Sequence, residues 1–252
     1  RVGRLFWIDF QITESLGELK MLLPALQPIV HGPTSEILAY EALARWRIND
    51  RILGPSDIHD ALQWSNVDIE MLMGILARRD VVATVAPRLF INVSAGTIAE
   101  SRRFAAWLGY LAEIADRATF AIVIEITEGI GDDKLQEAWP QIRRLGVKLA
   151  LDDFGDGQSS RARLMRYDWD YCKFEGHTVV DPHVQEAIRY CRNSSILPIV
   201  ERVERLETSS QFSEMGLHWQ QGFLHGKPAL IDDVVQKPWK PSRAEFATSI
   251  HA

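Results

Sequence analysis

Short apolar runs rich in β-branched and aliphatic residues recur along the chain. Each carries or is followed by a polar residue, and most lead into a stretch with helical spacing. The runs lie near 25–30, 37–44, 89–93, 121–126, 148–152, 171–174, 197–201 and 219–223. Each has strand length, and their near-continuous apolar character suits strands buried on both faces. Helices are predicted over 58–79, 99–116, 134–145, 159–166, 184–192 and 206–215. In the first of these, Ile58, Ala61, Leu62, Ile69, Leu72, Met73 and Leu76 recur mostly at three- and four-residue steps, which builds one apolar face.

Strands alternating with helices over 252 residues predict an α/β fold, a modified TIM (β/α)8 barrel. One interval breaks the pattern. Only residues 31–36, including Gly32 and Pro33, separate the first two runs, whereas a parallel crossover needs about a dozen residues or more. The first strand is therefore expected to run antiparallel to the rest. No linker or repeat divides the chain. The expected organisation is a lead-in over 1–11, a barrel domain over 12–238 and a tail over 239–252.

Composition narrows the class. The chain is 46% hydrophobic and 25% charged, as expected of a protein with a packed core. Its 28 Lys and Arg against 34 Asp and Glu leave a net charge of −6, the wrong balance for gripping a DNA or RNA polymer. No apolar run reaches the ~18 residues that read as a membrane span, and the start lacks a signal-peptide layout, so membrane contact is not expected within this segment. Two cysteines, Cys172 and Cys191, exclude a disulfide scaffold or a Cys-based zinc site. A cytoplasmic location is expected, either alone or as the cytoplasmic part of a larger protein, since the first residue is Arg1 rather than Met.

In barrel enzymes chemistry gathers at the C-terminal ends of the parallel strands. The polar residues expected there are Glu41, Asn92, Glu125, Glu128, Asp152, Asp153, Lys173, Glu175, Glu201, Glu204 and Gln221. So many carboxylates on one rim repel one another and raise each other's pKa values. A cation relieves that repulsion, and hard oxygen donors favour Mg²⁺, Mn²⁺ or Ca²⁺ over zinc.

The segments carrying these residues are Gln27-Pro28-Ile29-Val30, Glu41-Ala42-Leu43-Ala44-Arg45-Trp46, Ile91-Asn92-Val93-Ser94, Glu125-Ile126-Thr127-Glu128, Leu151-Asp152-Asp153-Phe154-Gly155, Cys172-Lys173-Phe174-Glu175, Val200-Glu201-Arg202-Val203-Glu204 and Gln221-Gly222-Phe223-Leu224-His225-Gly226-Lys227-Pro228. In order and spacing the sequence resembles the EAL-domain family of cyclic-di-GMP phosphodiesterases. The resemblance implies hydrolysis of cyclic di-GMP to linear pGpG by two-metal water activation. It implies two divalent ions, Mg²⁺ or Mn²⁺, with Glu41, Asn92, Glu125 and Asp152 holding one, and Asp152 and Asp153, assisted by Glu201, serving the second. Lys173 would act as an electrostatic stabiliser and positioner, and Glu201 would manage the proton of the attacking water. Gln27, Leu43, Arg45, Glu204 and Gln221 correspond to substrate-binding positions. Glu128, Phe154 and Gly155 correspond to the loop that couples dimerisation to the site. A homodimer, and fusion to or regulation by sensory or GGDEF domains outside this segment, are implied in the same way.

The sequence departs from the family pattern at Val200, at Arg202 where a small residue is usual, at Glu175 where Asp is usual, and at Gln158 and Arg161. None of these removes an implied metal ligand. The alternative function is a catalytically weak or inactive domain that acts as a cyclic-di-GMP receptor or protein-interaction module. A sugar-phosphate lyase barrel fits poorly, because Lys173 lies among acids rather than in the apolar pocket that a Schiff-base lysine needs.

Overall fold

A computed structural model of the chain describes residues 20–49, 51–58, 64–155 and 160–236. In chain order its strands are β1 (Lys20–His31), β2 (Glu36–Ile48), β3 (Arg51–Leu53), β4 (Arg88–Val93), β5 (Ala121–Ile126), β6 (Lys148–Leu151), β7 (Tyr171–Glu175), β8 (Leu197–Glu201), β9 (Trp219–Gln221) and β10 (Ala229–Leu230). The helices are α1 (Trp64–Ala77), α2 (Arg79–Val85), α3 (Ala95–Ala99), α4 (Ser101–Arg117), α5 (Asp132–Arg143), α6 (Arg161–Arg166), α7 (Pro182–Asn193), α8 (Leu206–Glu214) and α9 (Ile231–Gln236).

Parallel pairing runs β2–β4–β5–β6–β7–β8–β9. β1 closes the ring by pairing antiparallel with β2 on one side and with β9 over Ile29–His31 on the other. The result is a closed eight-stranded barrel whose first strand runs against the rest, as the four-residue β1–β2 connection requires. β1 and β2 continue past the ring as a ladder that reaches Lys20 opposite Ile48, and β3 extends it.

Strand periodicity sorts the core into two layers. The alternating side chains Leu89, Ile91 and Val93 of β4, Ile122, Ile124 and Ile126 of β5, and Cys172 and Phe174 of β7 pack outward against the helices. Their neighbours Phe90, Val123 and Tyr171 point inward. Together with Ile29, Ala39, Ala150 and Ile199, and with Trp219 packed alongside, they plug the barrel with one apolar layer. One period further along each strand, eight polar residues stand on that plug: Gln27, Glu41, Asn92, Glu125, Asp152, Lys173, Glu201 and Gln221.

The helical elements differ in detail from the expected ones. The stretch predicted over 99–116 is two helices, broken at Glu100, which is extended at φ −103° and ψ 114°. The 58–79 prediction becomes α1 with a second helix, α2, beginning after Arg78, whose ψ of 14° interrupts the spiral. Residues 59–63, 1–11 and 238–252, where parts of that helix, the lead-in and the tail were expected, lie outside the described residues. Among the described residues, no helix is long and apolar enough to cross a membrane.

Candidate metal and substrate site

Strand geometry alone brings the polar layer together. With side chains alternating every residue, a polar group two positions beyond an inward apolar one must face the same interior. Lys173, only 1% exposed, sits at the centre. Its Nζ lies 2.7 Å from Glu125 Oε1, 2.7 Å from Glu201 Oε1, 3.2 Å from Asp152 Oδ1 and 3.5 Å from Glu41 Oε2. Glu41 also accepts hydrogen bonds from Gln221 Nε2 at 2.6 Å and Asn92 Nδ2 at 2.8 Å. Gln27 completes this side, with its Oε1 3.4 Å from Gln221 Nε2 and its own Nε2 donating to the Gly226 carbonyl at 3.1 Å.

One ammonium cannot neutralise this many acids. Burial works against the Lys173 charge, but Asp152, Glu125, Glu201 and Glu41 together hold it well above the usual lysine value. Burial also opposes ionisation of Glu41, yet Lys173 and the two amide donors overcome that cost and keep this carboxyl below its ordinary range. The others go up. Burial, and then the Glu41 charge, push Glu125 well above the usual range. Burial raises Asp152 despite Lys173. Burial with Asp152 lifts Asp153 to about 6, and burial, against the pull of Lys173, lifts Glu201 to about 8.

Glu125 Oε2 and Gln221 Oε1 are buried without a hydrogen-bond partner, while Glu125 Oε1 and Asp152 Oδ1 have only the shared Lys173 ammonium beside them. Lone pairs left open in such a place are costly unless a cation takes them up. Asp152, Asp153 and Glu201 each present a ligand atom, all within 4.8 Å of one another. Carboxylate and amide oxygens in this number fit a hard divalent ion.

A cavity of about 400 Å³ opens above the cluster. Of the residues expected to form the site, Gln27, Glu41, Leu43, Asp152, Asp153, Lys173, Glu201, Glu204 and Gln221 line it. Asn92 and Glu125 meet the cluster from β4 and β5. Arg45 is half-buried further along the ladder, where its Nη1 donates to the Ala44 carbonyl at 2.7 Å. Glu128 is close enough to Asp153 for its charge to raise that carboxyl. Phe154 is buried against Phe174, with ring centroids 5.2 Å apart, and its amide donates to the Lys173 carbonyl at 3.1 Å. Gly155 follows with φ 109°, a conformation that glycine adopts without strain. Gln158 lies outside the described residues.

Three further residues line the cavity. Phe223 is exposed at its lip, with Lys227 Nζ 5.3 Å from the ring centroid. Gly222 has no room for a side chain, because a Cβ there would collide with the Val203 backbone. Arg202 adopts φ 54°, and its Nη2 lies 2.6 Å from Glu175 Oε1. Two of the departures from the family pattern, Arg202 and Glu175, thus pair with each other. No local sequence signal reports that contact, which joins the ends of β7 and β8.

The family described as EAL domain matches residues 11–228. The chain is 26% identical over 238 residues to "Probable cyclic di-GMP phosphodiesterase PdeN" of Escherichia coli K12, covering 86% of this chain and 46% of the relative. It is 28% identical over 248 residues to "Cyclic di-GMP phosphodiesterase PdeR" of the same organism, covering 90% of this chain and 37% of the relative. The chain thus spans less than half the length of these relatives. Among solved structures, an EAL domain protein of Listeria monocytogenes EGD-e superposes with a TM-score of 0.71 at 26% identity, covering 86% of this chain and 92% of that one. The calcium/cyclic di-GMP complex of Klebsiella pneumoniae BlrP1 superposes with a TM-score of 0.68 at 25% identity, covering 85% of this chain and 59% of that one. A match over this much of the sequence, on a barrel with the same inverted first strand as expected, places the chain in the EAL domain family.

Proposed function

We propose that this domain is a metal-dependent phosphodiesterase that hydrolyses cyclic di-GMP to linear pGpG. The observation that carries the reading is the convergence of Glu41, Asn92, Glu125, Asp152, Asp153 and Glu201 near Lys173, four carboxylates sharing one ammonium while Glu125 Oε2 is buried without a partner. Glu41, Asn92, Glu125 and Asp152 would hold one Mg²⁺ or Mn²⁺, and Asp152, Asp153 and Glu201 a second. Ions bound there supply Lewis-acid polarisation of a phosphoryl oxygen and a water acidified towards neutral pH. Lys173 keeps its proton among the acids and places a fixed positive charge at the floor of the cavity, where negative charge grows during attack on phosphorus. Glu201, beside Lys173 at the open side, takes up the proton of the attacking water. Gln27, Leu43, Glu204 and Gln221 line the groove for the nucleotide, and Arg45 supplies a guanidinium at its upper end. The names of the Escherichia coli relatives and the nucleotide bound in the BlrP1 structure support this substrate.

Incubation of cyclic di-GMP with the protein and Mn²⁺, followed by chromatographic separation of nucleotides, tests the reading directly. Linear pGpG is the expected product, and Glu41→Ala is expected to abolish its formation. Tight nucleotide binding with no pGpG would replace the enzyme with a receptor.

A further inference from the structure

We propose that Arg202 is a substrate-binding residue of this site, presenting its guanidinium to a phosphate of the cyclic dinucleotide, and that Glu175 aims it. The inference deepens the proposed function and rests on it. Three observations meet at this residue. Arg202 occupies the left-handed backbone region at φ 54°, where a residue with a Cβ is strained and glycine is not. A strained position that carries a long cation points to a use for that side chain.

The cation is held in place. Glu175 lies two residues beyond Lys173 on β7, so both face the barrel axis, and Glu175 is buried at the mouth. Its Oε1 fixes Arg202 Nη2 at 2.6 Å, while its Oε2 lies 3.0 Å from His177 Nδ1. The Arg202 side chain is 68% exposed and still lines the cavity. A guanidinium has five N–H donors in a planar fork, so one ion pair leaves donors for a phosphate.

Charge completes the case. Among the described residues that line the cavity there are two cations, Lys173 and Arg202. Lys173 is buried and surrounded by four carboxylates. Asp153 and Glu201 face the same opening, where the proposed function gives them to a cation, and Glu204 adds a charge that repels a ligand with two phosphodiester groups. Arg202 offsets that repulsion at the lip, where Lys227 stands 5.3 Å from the Phe223 ring centroid.

Calorimetric binding of cyclic di-GMP in the presence of Mn²⁺, together with KM and kcat where turnover occurs, tests this on the wild type, R202Q, R202K, R202G and E175Q, at low and high KCl. R202Q is expected to weaken binding about tenfold, the effect of losing one charged contact, with kcat changed by less than about twofold. R202K should recover part of the loss. Added salt should weaken wild-type binding more than R202Q binding, because the lost contact is ionic. R202G should unfold at a higher temperature than the wild type yet bind as poorly as R202Q. E175Q should weaken binding less than R202Q and add nothing in the double variant. Unchanged affinity and salt dependence in R202Q, beside a wild type that binds, overturns the proposal alone. Independent, multiplying effects of E175Q and R202Q overturn the part given to Glu175. A wild type that neither binds nor hydrolyses cyclic di-GMP overturns the function and this proposal together.

Discussion

Gln221 donates a hydrogen bond to Glu41 across 2.6 Å, joining residues 180 positions apart. Their strands, β9 and β2, are not neighbours, since β1 lies between them. The bond therefore spans the inverted strand from inside the barrel, above the apolar plug. It holds one carboxylate oxygen of Glu41 in a fixed direction and helps keep that group ionised. Partners that orient a metal-binding carboxylate typically matter by about 10–100-fold in metal affinity or activity. Gln221→Ala is accordingly expected to shift the Mn²⁺ activation curve to about tenfold or higher concentrations. A curve superposing on that of the wild type would rule the orienting role out.

Lys173 is expected to be as important for stability as for turnover. Replacing it by Met leaves Glu41, Glu125, Asp152 and Glu201 facing one another with no countercharge. Breaking a buried ionic cluster on one side commonly costs about 3–5 kcal/mol. In chelator, K173M should show that loss by urea unfolding, and Mn²⁺ should restore a larger share of stability to the variant than to the wild type. Equal stabilisation of both proteins by Mn²⁺ would separate the lysine from the cation site.

Gly222 is tested by a single methyl group. The Val203 backbone that a Cβ would strike is pinned on both sides, because its amide donates to the Gln221 carbonyl at 3.0 Å and its carbonyl accepts from Leu224 at 3.1 Å. Gly222→Ala should destabilise the fold by about 1–3 kcal/mol, the usual cost of overpacking. It should also displace the 201–204 segment and reduce activity more than the stability loss explains. Urea denaturation and specific activity, measured on the same preparation, check both parts.

His225 sets an acid limit. Burial lowers its pKa to about 4 from an ordinary 6.5. Its Nε2 lies 3.2 Å from Gln220 Oε1, which already accepts from Ser209. Between about 4 and 6.5 the unfolded chain takes up a proton that the folded chain refuses. The contribution of His225 to stability is therefore full above 6.5 and falls as the pH drops through this window. The shift corresponds to roughly 3 kcal/mol. His225→Gln, which keeps a donor towards Gln220, should flatten the decline in unfolding free energy between pH 7 and pH 4. An unchanged decline would assign the acid sensitivity to other groups.

Legibility followed locality. β5 and β8 lie where the apolar runs 121–126 and 197–201 placed them, because a strand buried on both faces writes its limits into hydrophobicity. The inversion of β1 was readable from chain length, since six residues cannot cross a barrel. The ladder beyond the ring was not. Arg45 and Arg47 alternate with Trp46 and Ile48 in a two-stranded extension, and Pro24 on the facing strand obscures the signal further. The inward acids were predictable individually from strand ends. Their arrangement around one lysine depends on eight strands meeting, and the Glu175–Arg202 pair depends on the ends of β7 and β8 lying side by side. Neither leaves a trace in any short window of sequence.

The inverted first strand has a mechanical consequence. In an all-parallel barrel the polypeptide enters at the base, far from the chemistry. Here β1 begins beside the C-terminal end of β2, so the chain enters over the open mouth and descends past Leu23, paired with Arg45, to Gln27, paired with Glu41. A pull or twist on the chain at Lys20 would thus reach a cavity-lining side chain, Gln27, within eight residues. Input delivered through the N-terminal side has no need to travel through the barrel wall.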